Sequence, residues 1–387
     1  MIENLSSFRL KTNILFGRGG ISSLGAIARD MGAVKYLLVA DPTLESLGIL
    51  EQALDSLSKM HMEGAVFTEI EPEPYLDSAD AAAAIGKEKE AELVIGLGGG
   101  SAMDTAKAAA ILITNEGKAV DYVGLNRVGF PGIPTIMVPT TAGTGSEVTF
   151  TAVFTNRDTM LKGGINSPYL FPEVALLDPE LTIPLPPSIT AATGMDALTH
   201  AIESVTGRAA TVFTESLSLT AVRLIGANLR RAVFHGTDRD ARENMLLGSL
   251  LAGIGLASAG VGAAHALAYP LGGKYRISHG LANAILVPYV MEFNAPAAER
   301  AMASIARALG EPVEGLPLRR AAELAVESVR MLCHDIGIPE SLEDIGIARA
   351  DIPSLVEDAL KVTRPLENNP RIVGREEAIS IYESAFG

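Results

Sequence analysis

The chain has 387 residues, of which 48% are apolar and 20% charged, and its formal net charge is −15. A chain of this length can bury large cores and is expected to form about two domains, and its composition excludes a disordered acidic tail. The negative charge excludes sequence-independent binding of nucleic acid, which requires a basic face. The single cysteine, Cys333, cannot form an intramolecular disulfide, which is typical of a reducing compartment such as the cytoplasm.

The first half of the chain alternates short apolar runs with amphipathic stretches. The opening segment Phe8–Phe16 alternates enough to be an early β-hairpin or an edge strand. Four buried strands are predicted at Lys35–Ala40, Leu93–Leu97, Ile133–Val138 and Glu173–Leu177, with helices between them such as Leu47–His61 and Ser78–Glu90. Strands separated by helices favour parallel pairing with helices on both faces of the sheet, so we predict an α/β domain over residues 1–185.

The sequence changes character near Leu181. The run Pro184–Pro187 cannot continue a strand or a helix and marks a boundary. Beyond it, alanine and leucine recur at helical spacing and strand-like runs nearly vanish. This pattern predicts an all-helical domain over residues 186–387.

Two segments bear on location. The first residues, Met1–Asn4, show neither a basic nor an apolar leader pattern, so we expect no secretory signal. No residue from Asn244 to Gly273 is charged, and these thirty positions are enough to cross a bilayer. Because the run consists mostly of Gly, Ala and Ser and contains His265, we expect closely packed buried helices and no membrane association.

A glycine turn joins the strand at Leu93 to a helix. Glycine allows close approach of the backbone and positive φ, and the N–H groups that open the helix can bind an anion. Three consecutive glycines exceed what a tight turn needs, so phosphate binding is favoured over a turn that binds nothing. The residues of this loop are Gly98, Gly99, Gly100 and Ser101.

Two further polar sites follow predicted strands. Asp41 comes directly after Lys35–Ala40, where a carboxylate can bind an adenosine ribose, although a turn or cap role before Pro42 is equally compatible. The segment Pro139–Glu147 follows the third strand and contains three threonines, Thr140, Thr141 and Thr144. Ligands bind at the strand ends of open α/β sheets, which favours a binding role for this loop over a solvated one.

A candidate metal site lies in the helical half. Asp196 and His200 are four residues apart, which places both on one helix face. His265 lies in the uncharged run, where an imidazole without a partner is costly, and His279 follows fourteen residues later. Each histidine alone is more often a satisfied core residue. Together with Asp196 they suggest a divalent site of three imidazoles and one carboxylate.

Four motifs in this order resemble the iron-activated (group III) alcohol dehydrogenases, a family that includes lactaldehyde/1,2-propanediol oxidoreductase and 1,3-propanediol dehydrogenase. The motifs are GGGSAMDTAK, PTTAGTGSE, GMDALTHAIE and the stretch from HALAYPLGG to SHGLANAILVP. The resemblance covers essentially the whole chain. It implies a dinucleotide-binding α/β domain, an all-α domain and an active site in the cleft between them.

The resemblance also implies roles for individual residues. The metal, Fe²⁺ or alternatively Zn²⁺ or another divalent cation, would be held by Asp196, His200, His265 and His279. The cofactor NAD would be held by Asp41, Gly98, Gly99, Gly100, Ser101, Asp104, Thr140, Thr141, Thr144 and Lys162. An aspartate at position 41 is typical of members that prefer NAD to NADP. Members are commonly homodimers or larger homo-oligomers.

The sequence departs from the family pattern in two places. Tyr269 stands where many members have a histidine that faces the substrate, and a phenol is a poor cationic acid at neutral pH. We expect Tyr269 to face the substrate, where a phenol can pass a hydrogen bond. The segment Glu71–Pro74 replaces an Asn-Pro pair found near the adenosine in some members.

We therefore predict a metal-dependent oxidoreductase that transfers hydride between NAD(H) and a primary alcohol/aldehyde pair. Lys274 and Arg276 lie close to His279, which raises the alternative of a hydroxy-acid or sulfo-alcohol dehydrogenase with an anionic substrate. The simpler alternative is that the side chains of Lys274 and Arg276 are both exposed to solvent and contact no substrate. A lyase similar to dehydroquinate synthase and a non-catalytic binding protein are the remaining alternatives.

Overall fold

The computed structural model describes residues 7–157 and 162–386. The expectation that Met1–Asn4 carries no secretory signal concerns residues outside the described ranges. The described chain divides into two compact units, one formed by Leu10–Pro184 and the other by residues 185–386 together with residues 7–9.

The first unit is an α/β unit. Its strands are β1 (Asn13–Phe16), β2 (Lys35–Ala40), β3 (Glu63–Phe67), β4 (Leu93–Gly98), β5 (Gly124–Leu125), β6 (Thr135–Pro139), β7 (Thr151–Thr155), β8 (Lys162–Asn166) and β9 (Val174–Leu177). Its helices are α1 (Leu24–Asp30), α2 (Thr43–Ser46), α3 (Ile49–Lys59), α4 (Leu76–Glu88) and α5 (Gly100–Thr114). The predicted alternation of strands and helices is confirmed.

Six strands form one parallel sheet in the order β1-β9-β6-β4-β2-β3. The opening segment is an edge strand and not half of a hairpin, because β1 pairs in parallel with β9, which lies far along the chain. The other edge strand, β3, was not predicted. Strands β5, β8 and β7 form a separate small sheet, also unpredicted, in which β7 and β8 are antiparallel.

Helices cover both faces of the large sheet. On β2, Leu37 and Val39 join a buried cluster with residues of α4 and α5, whereas Leu38 and Ala40 join a second cluster with residues of α1 and α3. A strand that is buried on both faces reads as a continuous apolar run, which explains why β2 and β4 were visible in the sequence. The strand order reverses between β2 and β4, and the crevice at the carboxyl ends of such a pair is where open α/β sheets bind ligands.

The second unit is helical, as predicted. Its helices are α6 (Pro187–Thr206), α7 (Val212–Phe234), α8 (Arg239–Ala259), α9 (Ala263–Tyr275), α10 (His279–Asn294), α11 (Glu299–Leu309), α12 (Leu318–Asp335), α13 (Ile352–Ala359), α14 (Thr363–Asn368) and α15 (Arg375–Ser384). The uncharged run Asn244–Gly273 spans α8 and α9 and is mostly buried. Within the described ranges, no single helix is long and apolar enough to cross a membrane; α8 and α9 meet that test only as a pair, bent by 104°.

The close contact between α1 and α3 provides a test of the α/β packing. A Cβ atom added at Gly25 would lie 2.1 Å from the backbone oxygen of Ser56, so Gly25→Ala must push the two helices apart. Overpacking of this kind costs about 1–3 kcal/mol, and we expect a lower melting temperature by scanning calorimetry. Gly17→Ala is the control, because nothing lies within 4 Å of a Cβ atom there. Equal melting temperatures for the two variants would contradict the packing.

Candidate cofactor loops and metal centre

The turn after β4 lies against the residue that follows β2. Asp41 donates its backbone N–H to the oxygen of Leu97 at 3.1 Å, and Thr140 donates to the oxygen of Gly98 at 2.9 Å. Gly98 has φ of +146°, and a Cβ atom there would lie 2.9 Å from Cβ of Ala102 and 3.0 Å from Cβ of Asp41. The ends of β2, β4 and β6 therefore meet at one point. Because they approach so closely, only glycine fits at position 98.

The second and third glycines face the threonine loop. A Cβ atom on Gly99 would lie 3.6 Å from Cγ2 of Thr141, and one on Gly100 would lie 2.8 Å from Cγ2 of Thr144. Helix α5 begins at Gly100, so its first N–H groups open onto this cradle. A cradle that side chains would fill, at the amino end of a helix, fits the pyrophosphate of a dinucleotide.

Asp41 forms the turn that its sequence position allowed. Its Oδ1 accepts hydrogen bonds from N and Oγ1 of Thr43 at 2.9 and 2.7 Å. Its Oδ2 makes no hydrogen bond to the described residues. The turn and a contact with a ribose therefore use different oxygens and are compatible.

Ser101 and Lys162 both contact the segment that departs from the family pattern. Ser101 donates its hydroxyl to the backbone oxygen of Pro72 at 2.5 Å. Nζ of Lys162 lies 2.6 Å from a carboxylate oxygen of Glu73, and the lysine side chain is only 4% exposed. The structure thus joins two predicted cofactor residues through Pro72 and Glu73.

Asp104 lies in a buried polar cluster. Its Oδ1 accepts from Oγ of Ser146 at 2.5 Å and lies 3.2 Å from Nζ of Lys107, and its Oδ2 accepts from the backbone N–H of Val153 at 2.8 Å. The fully buried Lys107 also donates to the backbone oxygen of Ser146 at 3.0 Å and to that of Thr151. These contacts hold the end of the threonine loop, Pro139–Glu147, and the strand β7 that follows it against α5.

Glu147 is a buried carboxyl next to this cluster. Its side chain is 1% exposed, and Oε1 finds no hydrogen-bond donor among the described residues. Burial raises the pKa of Glu147 to about 7, although the charge of Lys107 opposes the shift. Sequence reasoning singled out neither residue, even though both stand inside the quoted motifs.

The candidate metal residues converge within the helical unit. Asp196 and His200 lie on α6, His265 lies on α9, and His279 is the first residue of α10. One ligand atom from each lies within 4.8 Å of those of the others. The ring centroids of His200 and His265 are 4.6 Å apart, and those of His265 and His279 are 5.2 Å apart.

The donor set fits a divalent cation. Nε2 of His265 is buried and makes no hydrogen bond to any residue that the structure describes, which leaves its lone pair for a metal. A carboxylate oxygen of Asp196 lies 3.9 Å from this atom and 3.8 Å from Nε2 of His279. Three imidazoles and one carboxylate suit iron or zinc.

The ring of Tyr269 lies beside this cluster. Tyr269 follows His265 by one turn of α9, and its ring centroid lies 5.7 Å from that of His279. The side chain is half-buried. Its position is compatible with the expected substrate-facing role.

Two family profiles match most of the chain. The profile for iron-containing alcohol dehydrogenase matches residues 11–179, and the profile for the C-terminal part of the Fe-containing alcohol dehydrogenase family matches residues 190–386. The chain belongs to the iron-containing alcohol dehydrogenase family. Its predicted resemblance is confirmed.

Individual relatives support the assignment to iron-containing alcohol dehydrogenases. The chain is 40% identical to long-chain-alcohol dehydrogenase 1 of Geobacillus thermodenitrificans over 96% of this chain and 94% of that one. It is 36% identical to sulfoacetaldehyde reductase of Bilophila wadsworthia over 96% and 97% of the two chains. The crystal structure of a 1,3-propanediol oxidoreductase matches with a TM-score of 0.96 and 38% identity, over 99% of this chain and 100% of that one.

Iron-containing alcohol dehydrogenases use NAD(H) and a metal ion, and the chain is therefore an oxidoreductase. Membership of this family favours an oxidoreductase over the two remaining alternatives, a lyase similar to dehydroquinate synthase and a non-catalytic binding protein.

Sequence reasoning missed two buried residues that contact the candidate ligands of this iron-containing alcohol dehydrogenase. Asn283 donates from Nδ2 to Oδ1 of Asp196 at 2.8 Å, and Glu203 contacts His265. Glu203 follows Asp196 by seven residues and His200 by three, so the helical spacing that linked Asp196 to His200 also reached it.

The electrostatics of Asp196 follow from these neighbours. Burial acts to raise the pKa of Asp196, but the charges that His200, His279 and His265 acquire on protonation, together with the Asn283 hydrogen bond, lower it to about 2. The carboxylate is therefore ionised at neutral pH, as a metal ligand must be.

The buried carboxyl of Glu147 makes stability depend on pH. Because its pKa rises from 4.5 to about 7 on folding, the folded state binds the proton more tightly and stability falls as pH rises through this range. Replacement by the neutral Gln removes this loss, which amounts to about 3 kcal/mol above pH 7. We expect the melting temperature of Glu147→Gln to rise relative to wild type between pH 5 and pH 8.

Glu63→Gln is the control for this comparison, since Glu63 is exposed on β3 of the same unit. If the Glu147→Gln and Glu63→Gln curves run parallel to wild type, then Glu147 does not carry a raised pKa.

Proposed function

We propose that this iron-containing alcohol dehydrogenase oxidises a primary alcohol, or reduces the corresponding aldehyde, with Asp196, His200, His265 and His279 as the metal ligands. The convergence of these four side chains, from three helices, is the observation that carries the proposal. When bound, the cation supplies Lewis acidity toward the substrate oxygen, and the nicotinamide accepts or donates hydride.

The α/β unit contributes binding and orientation of the dinucleotide. The cradle formed by Gly98, Gly99 and Gly100 admits the pyrophosphate at the start of α5, where free N–H groups offset its charge in an acidic protein. Ser101 lies in the first turn of α5, and Thr140, Thr141 and Thr144 lie in the adjoining loop after β6. Asp104, both of whose carboxylate oxygens are engaged within the protein, acts by holding the following segment in place.

Asp41 and Lys162 would act on the charged and polar groups of the dinucleotide. Asp41 keeps Oδ2 for a ribose hydroxyl and repels a 2′-phosphate. Lys162 is paired with Glu73, so any phosphate contact by this lysine occurs within an existing ion pair. In the helical unit, Tyr269 is proposed to pass a hydrogen bond to the substrate.

An anionic substrate is the second candidate, supported by the similarity to a sulfoacetaldehyde reductase. Lys274 does not favour it, because Nζ of Lys274 lies 2.5 Å from Oδ2 of Asp358, which is itself 11% exposed. Arg276 is exposed and forms no ion pair with a described residue, so the alternative depends on this side chain. A plain alcohol or aldehyde remains the main proposal.

A cytoplasmic location and assembly as a homodimer or larger homo-oligomer complete the proposal. The solitary buried Cys333 supports a reducing compartment. The family resemblance supports the assembly.

Removal of the metal tests the Lewis-acid role. Protein stripped with a chelator, its metal content measured, is expected to lose NAD-linked oxidation of 1-propanol and 1,3-propanediol by at least about 100-fold, and to regain it with Fe²⁺ or Zn²⁺. Full activity in metal-free protein would refute the role. Reduction of propanal and sulfoacetaldehyde, followed by the consumption of NADH, compares the two substrate classes, and a clear preference for the sulfonate would favour the anionic alternative.

The coenzyme preference tests Asp41. Removal of the carboxylate in Asp41→Gly is expected to raise kcat/KM for NADP by about tenfold, because repulsion of the 2′-phosphate is lost. Asp41→Asn is the matched control for the turn, since its amide oxygen can still accept from Thr43 while the charge is gone. Both variants should therefore gain NADP activity. Unchanged NADP kinetics in both would make Asp41 a turn residue only.

A further inference from the structure

Glu203 occupies a buried position that joins two helices of the metal cluster. It lies on α6 and is 4% exposed. Its Oε1 accepts from the backbone N–H of Ala264 at 2.7 Å, and its Oε2 accepts from that of Gly262 at 2.8 Å. The same Oε2 lies 2.6 Å from Nδ1 of His265. One carboxylate thus binds the first N–H groups of α9 and one of its side chains.

These contacts determine the tautomer of His265. A carboxylate oxygen can only accept a hydrogen bond, so Nδ1 of His265 carries the proton. Nε2 then presents its lone pair, and this buried atom has no hydrogen-bond partner among the described residues. It lies 3.9 Å from an oxygen of Asp196, on the side where the other candidate ligands converge.

We propose that Glu203 is a positioning residue for the metal, which holds the imidazole of His265 in the tautomer and orientation needed for Nε2 to bind the cation. The inference rests on the proposed function of the same site and extends it to a residue that is not one of the four candidate ligands. A carboxylate that accepts from a ligating imidazole also makes that imidazole a stronger donor.

The spacing along α6 supports this role. Asp196, His200 and Glu203 stand at positions i, i+4 and i+7, so one helix face supplies two direct ligands and the partner of a third. If Glu203 served only to cap the start of α9, it would not need to contact the imidazole of His265. The buried side chain of Asn369 accepts from the N–H of Ala263 at 3.2 Å, and its amide also pairs with that of Asn294 on α10. It therefore caps the same turn without a hydrogen bond to His265.

Asn369 therefore provides a matched control. Glu203→Gln replaces one of the two acceptor oxygens at the start of α9 with an NH₂ group, and Asn369→Ala removes another acceptor there. Only the first alters the partner of His265. The dissociation constant for Zn²⁺ is measured for both variants and wild type by competition with a chromophoric chelator. We expect Glu203→Gln to bind Zn²⁺ about 10- to 100-fold more weakly, and Asn369→Ala to change by less than about threefold.

The absorption spectrum of the Co²⁺-substituted protein reports on ligand geometry independently of catalysis. It should shift in Glu203→Gln and match wild type in Asn369→Ala. Zinc binding by Glu203→Gln as tight as that of wild type would overturn the proposal. Equal weakening in the two variants would also overturn it, because the effect would then come from the helix start.

A measurement on wild type keeps the test valid even if Glu203→Gln does not fold. In metal-free protein labelled with ¹⁵N-histidine, NMR should show His265 protonated at Nδ1 and unprotonated at Nε2. The opposite tautomer would refute the inference. Wild-type protein with the expected tautomer and zinc affinity but no NAD-linked activity would contradict the proposed function and leave the role of Glu203 supported.

Discussion

The helical unit depends on the compensation of buried carboxylates. An ionised carboxylate that leaves water without partners costs several kcal/mol or more, and α6 carries two that are almost fully buried, Asp196 and Glu203. Glu203 is compensated by two backbone N–H groups and an imidazole, and Asp196 by Asn283 and the surrounding histidines. Apart from His200, which lies on α6 itself, these partners come from α9 and α10, so the first turns of both helices are tied to one face of α6.

The same constraint acts on a cation in the α/β unit. Lys107 on α5 is fully buried, and burial lowers its pKa while Asp104 opposes the shift. Its ammonium is satisfied by the carboxylate of Asp104 and by the backbone oxygens of Ser146, in the threonine loop, and Thr151, in β7. A buried charge can be satisfied in few geometries, and for this reason the cluster keeps the loop beside the glycine turn.

Much of the fold could be predicted because central parallel strands have a strong local signature. β2 matched its prediction at both ends, and β6 and β9 began within two residues of theirs, since side chains on both faces of these strands are apolar. β3 was not predicted because most of its residues are exposed at the sheet edge. β8 was not predicted because its glycines carry no periodic pattern, even though its antiparallel partner β7 is the strand that directly precedes it in the chain.

The sequence by itself determined the family, the parallel α/β unit, the helical unit and the identities of the candidate ligands. Helix and strand periodicity are local, so Asp196 and His200 could be placed on one face from their spacing alone. Only the tertiary structure decided that His265 and His279 meet that face and that Nδ1 of His265 finds Glu203, since such contacts depend on how helices distant in sequence pack. It also decided that Lys274 is paired with Asp358, a contact that no spacing along the chain encodes.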